Sequence, residues 1–266
     1  MLKTISYQGK ILAYEFTGNG LPVMLVHGFT EDRRIWDHLV SSIGKKYQLL
    51  IPDLPGSGDS AFNPNLHTIA EFAGVLRAIQ LAEKTGPLVI IGHSMGGYIS
   101  LAFADAFPDA LKGLGLFHSS AYEDSAEKKL SRQKSIIFIR KQGSAPFVEQ
   151  SLPGLFSGYF KERHPEKIQK QIDLYANFNP DSLVQYLEAM MNREDRTRVL
   201  KGFGGPVLFI MGEEDKAVPL KDILEQSHLP QISYIHILSH TAHMGMLESS
   251  NLCNSFVDRF LDPIPV

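Results

Sequence analysis

Twelve residues, Leu88-Val-Ile-Ile-Gly-His-Ser-Met-Gly-Gly-Tyr-Ile99, constrain the fold of this chain more than any other stretch. The apolar run Leu88–Ile91 suits a strand buried on both faces. It stops at Gly92-His-Ser94-Met-Gly96, and a helix-forming stretch, Tyr98–Ala106, follows at once. Strand, sharp turn and helix around G-x-S-x-G form a nucleophile elbow. The two glycines fit a turn so tight that a side chain would strike the neighbouring strand or helix. Ser94 is expected at the apex, its hydroxyl exposed, with the positive end of a helix behind it.

A serine hydroxyl is a poor nucleophile near neutral pH. It needs a base, and the base needs an orienting acid. Around an elbow of this kind the chain order is serine, acid, histidine. Downstream, the strand-like Pro206–Met211 runs into Gly212-Glu-Glu-Asp215, and Ile232–Leu238 runs into Ser239-His-Thr-Ala-His243. Both Asp215 and His243 thus fall just past the carboxyl end of a strand, the edge where open α/β sheets place ligands. Glu213 and Glu214 read as solvated loop carboxylates. Asp124, after the apolar strand Gly113–Phe117, is the rival acid. His240, hard against its strand end, is the rival base. Asp215 and His243 fit better, and Glu248 is expected to open the final helix. The second requirement is a pair of backbone N–H groups for the oxyanion. Met95 follows the nucleophile; Phe29, after the apolar Pro22–Val26 and His27-Gly28, supplies the other. His27 itself reads as a ring that hydrogen-bonds nearby loops.

On His27-Gly-Phe29, Pro52–Ser60, the elbow Gly92–Gly97, Gly212–Pro219 and Ala242-His243, the chain resembles the α/β-hydrolase superfamily, in particular compact esterases and lactonases with a helical cap. These motifs span residues 22–248, nearly the whole chain. The resemblance implies that Ser94 attacks, His243 moves the proton, Asp215 orients it, and the Phe29 and Met95 amides hold the oxyanion. Asp53, within Pro52–Ser60, is then a fold residue. Ser239 departs from the glycine that relatives often carry there, which touches only the shape of the loop. A serine at position 94 argues against the dehalogenases and epoxide hydrolases, which use aspartate.

Strands alternating with helices call for a mostly parallel, doubly covered sheet. Strands are expected near Ile5, at Leu12–Phe16, Val23–Val26, Gln48–Ile51, Leu88–Ile91, Gly113–Phe117, Val207–Ile210 and Ile232–Leu238, eight in all. Thr68, followed three residues later by Glu71, makes a capping box for a helix to Glu83. The alternation breaks once. Residues 121–198 carry no strand signal, only four helical stretches, Ser125–Lys141, Ala145–Leu152, Glu166–Phe178 and Ser182–Asn192. This all-helical cap would be inserted into a core made of 1–120 and 199–266. Of its apolar residues, Phe138, Phe147, Tyr159 and Met190 are candidates to line the pocket. His118, at the end of the strand beside the elbow, could line it too or hydrogen-bond behind it. Ten Lys or Arg against four Glu between 125 and 170 could draw in an anionic substrate, but a solvated helix face is the better reading, since surface lysines are ordinary.

Net charge is −3, and there is no P-loop, dinucleotide fingerprint or H-E-x-x-H, so neither nucleic acid, cofactor nor metal is expected. His240 and His243 share a ligand-like spacing without a carboxylate cluster. One cysteine, Cys253, no signal-peptide core near Met1 and no long apolar run point to the cytoplasm and away from membranes. The expected reaction is acyl transfer to Ser94 from a small, largely apolar ester or lactone. The alternatives are C–C bond hydrolysis, lyase or perhydrolase chemistry on the same triad, or a ligand-binding sensor. Nothing in the sequence sets the oligomeric state.

Overall fold

The computed structural model describes residues 1–266. Eight strands, β1 (Leu2–Tyr7), β2 (Lys10–Thr17), β3 (Pro22–Val26), β4 (Gln48–Pro52), β5 (Leu88–His93), β6 (Leu111–Phe117), β7 (Val207–Gly212) and β8 (Ser233–Leu238), form one sheet in the order β1-β2-β4-β3-β5-β6-β7-β8. β1 with β2 and β2 with β4 are antiparallel, and every other pair is parallel. β3, β5 and β7 are buried at every position, as unbroken apolar runs require in a sheet covered on both faces. β1, at the edge, alternates exposed and half-buried residues.

Helices α1 (Asp37–Ile43), α2 (Ile69–Glu83) and α3 (Met95–Ala106) come before the last two strands; α10 (Leu220–Leu224), α11 (Gly245–Glu248) and α12 (Ser250–Leu261) come after β7. α1 packs on α12 and α2 on α3. The Thr68–Glu71 box forms as expected, with Thr68 N–H donating to Glu71 at 2.8 Å and Glu71 N–H to Thr68 at 3.2 Å. α3 starts at Met95, not Tyr98. Gly96 and Gly97 weaken local helix propensity, but packing decides: a Cβ on Gly96 would lie 2.3 Å from the Val26 carbonyl oxygen, and one on Gly92 would lie 2.2 Å from the Gly96 backbone.

Between β6 and β7 the chain makes six α-helices, one short 3₁₀ helix (Leu152–Leu155) and no strand: α4 (Ala126–Gln142), α5 (Ser144–Ser151), α6 (Gly158–Arg163), α7 (Pro165–Tyr175), α8 (Pro180–Met191) and α9 (Thr197–Gly202). The sequence anticipates four of the α-helices. α6 and α9 are six residues each, too short to give a periodic signal. α7 stops at Tyr175 rather than Phe178. This helical segment is tied down at named points. The Tyr186 hydroxyl donates to Pro55 O (2.8 Å), Gln185 Nε2 donates to Asn63 O (2.8 Å), and Arg193 reaches buried Asp124 (2.6 Å). No helix is long and apolar enough to cross a membrane.

Candidate active site

β5 ends in the elbow, and the backbone there is strained. Ser94 has φ 50° and ψ −115°, a conformation a side-chain-bearing residue keeps only when its surroundings impose it. They do so here through Ser94 N–H donating to Phe117 O (3.0 Å) and the Ser119 hydroxyl donating to Ser94 O (2.7 Å). α3 leaves directly from Ser94, placing its amino end behind the hydroxyl.

Asp215 follows β7 and His243 follows β8. His243 Nδ1 lies 2.8 Å from Asp215 Oδ2, and the Ala217 and Val218 amides each donate to Oδ1 at 2.9 Å. A second imidazole joins them: His118 Nδ1 is 3.1 Å from the same Oδ2. Burial disfavours the Asp215 charge, but His243 and His118 outweigh it and hold the carboxyl well below the usual range. For His243 burial also works against charge, yet the Asp215 carboxylate raises its pKa above the ordinary imidazole value. His118 goes the other way, pushed down to about 4 chiefly by burial. It is therefore neutral, donates from Nδ1, and leaves Nε2 buried without a partner.

His118, Asp215 and His243 are close enough to gather around a cation. Both Nδ1 atoms already donate to the carboxylate and Oδ1 is occupied by amides, so the donor set is spent on hydrogen bonds and does not fit a metal.

Ser94 and His243 face one cavity of about 150 Å³. Phe29, Tyr98, Ala217 and Val218 line it from the sheet side, and Arg132, Leu155 and Met190 from the helical segment. No hydrogen bond joins the Ser94 hydroxyl to His243 here. Neither the Phe29 nor the Met95 N–H donates to any other protein group, and Met95 opens α3, so both amides are free.

Four more side chains hold these loops together. Glu31 Oε2 accepts from Gly28 N–H (2.6 Å) and lies 2.9 Å from His93 Nδ1, while His93 Nε2 lies 3.0 Å from the His243 carbonyl oxygen. Burial opposes ionisation of Glu31, but His93 and the Gly28 amide hold its carboxyl below the usual value. His27 bridges loops as expected, with Nδ1 at Gly28 O and Nε2 accepting from Leu54 N–H, both at 2.9 Å. Asp53 accepts from the Arg33 and Asp59 amides (2.9 Å each) and pairs with the Arg33 guanidinium.

Several expected positions differ. Of the pocket candidates, Met190 lines the cavity. Phe138 and Phe147 line a neighbouring open depression instead, though the Phe147 ring meets Phe29 edge-on at 6.0 Å. Tyr159 is half exposed, packed by His240 and Arg163, because short α6 turns it outward. His118 is fully buried behind Asp215, not in the cavity. Rival His240 is solvent-exposed, and rival Asp124 is held by Arg132 and Arg193. Glu248 does not open α12. It ends α11 and accepts from the amides of Ala242 (3.1 Å), Met244 (3.2 Å) and Ser157 (2.9 Å). Glu31, His93 and Arg132 were not singled out from the sequence. His93 lies inside the elbow motif, and that was the available signal; Glu31 acts through a contact 62 residues away.

The parallel sheet, the serine on a strand-to-helix turn and an acid–histidine pair at the strand ends define an enzyme class. Residues 23–252 match the alpha/beta hydrolase family, and the chain belongs to it. It resembles a thermophilic esterase from Thermogutta terrifontis, solved with malate bound, at 28% identity over the whole of both chains with a TM-score of 0.93. The pimeloyl-[acyl-carrier protein] methyl ester esterase of Xylella fastidiosa is 24% identical over 94% of this chain and 99% of its own. The enol-lactonase of Burkholderia xenovorans LB400 shares the fold, with a TM-score of 0.90 at 22% identity over 98% of this chain and 100% of that one.

Proposed function

We propose that this hydrolase-family enzyme is a serine esterase or lactonase acting on small carboxylic esters through Ser94, His243 and Asp215. The observation that carries the proposal is His243 Nδ1 at 2.8 Å from Asp215 Oδ2, with its ring facing the cavity that a strained Ser94 also faces. Ser94 Oγ attacks the carbonyl carbon as His243 Nε2 takes its proton. The Phe29 and Met95 amides receive the oxyanion. The alcohol leaves with the His243 proton; water, activated by the same ring, then releases the acid and restores Ser94. Ser94 and His243 are expected to come into hydrogen-bond contact when substrate fills the cavity, since such contacts tighten in the complex. Ester- and lactone-cleaving activities in the names of the similar proteins point the same way.

Residues 121–198 act in this reading as a cap over a core of 1–120 and 199–266. The helical segment supplies Arg132, Leu155 and Met190 to the cavity wall, and a cover of this kind excludes water. The single, buried thiol of Cys253 suits a reducing compartment, and the cytoplasm is the proposed location.

Hydrolysis of nitrophenyl esters of rising acyl length, wild type beside Ser94→Ala, tests the proposal. The expected result is saturable turnover, fastest for short acyl chains, falling by more than about 10³-fold in the variant. Equal rates in both proteins, or none, would overturn it.

A further inference from the structure

Of the ten basic residues between 125 and 170, Arg132 is the one on the cavity wall. Its guanidinium is used on one edge only. Nε donates to Asp124 Oδ2 at 2.5 Å and Nη2 to Oδ1 at 3.4 Å. Nη1 and the outer N–H of Nη2 have no protein acceptor, and a fifth of the side chain remains exposed. Guanidinium presents five N–H donors in a rigid plane, so the Asp124 clamp fixes the plane and leaves its other edge open.

The charge at that end is not balanced. Asp124 is also held by Arg193 Nη1 at 2.6 Å, so one carboxylate faces two guanidinium groups and the cluster carries a net positive charge. Burial opposes the Asp124 charge, but Arg132 and Arg193 keep its carboxyl low, so the aspartate is a fixed anchor. Asp124 lies behind the wall; the acid on the wall itself is Glu31, whose Oε2 is occupied by the Gly28 amide and His93. Arg132 is therefore the cation on this wall with donors to spare, in a space shared with Ser94 and His243.

We propose that Arg132 is a specificity-determining residue that binds a carboxylate on the acyl side of the substrate, so that the preferred substrates are monoesters or lactones of short dicarboxylic acids. The inference rests on the esterase reading for the chemistry but not for the binding. A cavity of about 150 Å³ has the liquid volume of about five waters, which limits the acid to a short one. With monomethyl glutarate as the probe, Arg132 holds the free carboxylate while Ser94 Oγ bonds to the ester carbon and the methoxy bond breaks. Methanol leaves with the His243 proton. Water then cleaves the acyl-enzyme, so ester plus water gives glutarate, methanol and a proton.

Two readouts separate this inference from the esterase reading. The first is the ratio of kcat/KM for monomethyl over dimethyl glutarate, which should fall about ten- to a hundredfold in Arg132→Gln, as loss of a charge-assisted pair predicts. Arg132→Lys, which keeps the charge, should fall less. The second is glutarate binding to Ser94→Ala by calorimetry, which should weaken by a similar factor when Arg132→Gln is added. Asp124 keeps Arg193 in these variants, and unchanged melting temperatures would show the fold intact. Glutarate binding that depends on Arg132 without turnover of any ester would sustain the anchor and sink the esterase reading. Turnover with an unchanged ratio and unchanged binding would overturn the anchor alone.

Discussion

His118 and His243 share one acceptor: both point Nδ1 at Oδ2 of Asp215, at 3.1 and 2.8 Å. The neutral His118 therefore draws off part of the charge that would otherwise act on His243. In His118→Leu the second donor is gone, the carboxylate acts more strongly on His243, and the acid limb of kcat/KM should move to higher pH. A pH profile checks it; a limb that stays in place would give His118 a packing role alone.

The proposed base must be neutral to accept a proton. Its pKa is raised because the Asp215 carboxylate outweighs burial, so the midpoint of the acid limb should lie above the ordinary imidazole value of about 6.5. Nitrophenyl ester hydrolysis followed from about pH 5 to about pH 9 tests this. A midpoint at or below the ordinary value would mean that burial dominates.

Stability should run opposite to activity above the unfolded imidazole value of about 6.5; below it the depressed His118 makes stability rise with pH instead. A group whose folded pKa is raised stabilises fully below its unfolded pKa, and the stabilisation is lost as pH rises through the folded one. Above that value the melting temperature should therefore decline as activity climbs. Asp215→Asn should abolish that decline and lower kcat by on the order of 10³–10⁴.

Strain at Ser94 has a measurable signature. The hydroxyl caps nothing in α3, and a positive φ costs a side-chain-bearing residue about 1–3 kcal/mol. Glycine avoids that cost but loses about 0.5–1 kcal/mol in chain entropy. Ser94→Gly should be inactive yet about 1 kcal/mol more stable than Ser94→Ala in denaturant unfolding. A Ser94→Gly variant less stable than Ser94→Ala by about 0.5–1 kcal/mol, the entropy cost alone, would show that the elbow holds no strain.

Glu248 serves three amides, two in the His243 loop and one, Ser157, in the helical segment. Glu248→Ala should cost about 2–3 kcal/mol and lower the melting temperature by about 4–8 °C. Glu248→Gln, which retains one acceptor, should fall between.

The elbow, the Asp215 and His243 strand ends and the sheet were legible in the sequence because each rests on local pattern: an apolar run, a glycine-bounded turn, a titratable residue past a strand. The fixtures around them were not. His93 meets the His243 carbonyl across 150 residues, His118 meets Asp215 across 97, and no local periodicity encodes either. Glu248 was misread because a glutamate ahead of an apolar helix looks like an opening charge, whereas the four-residue α11 places its carboxylate over the preceding loop. Tyr159 was misjudged for a related reason: aromatic content marks a helical segment as able to line a pocket, but the direction of each ring depends on how short helices are joined.

The His243 amide donates to the Leu155 carbonyl at 2.9 Å, and Leu155 itself lines the cavity. The helical segment and the loop carrying the proposed base are thus latched by a backbone bond that no side-chain replacement short of His243→Pro removes. Moving that segment would break its bond to the histidine loop as well. In the proposed reaction this would act as an interlock: the base keeps its full set of contacts only while the segment above it is in place, and small substrates are the ones that fit beneath.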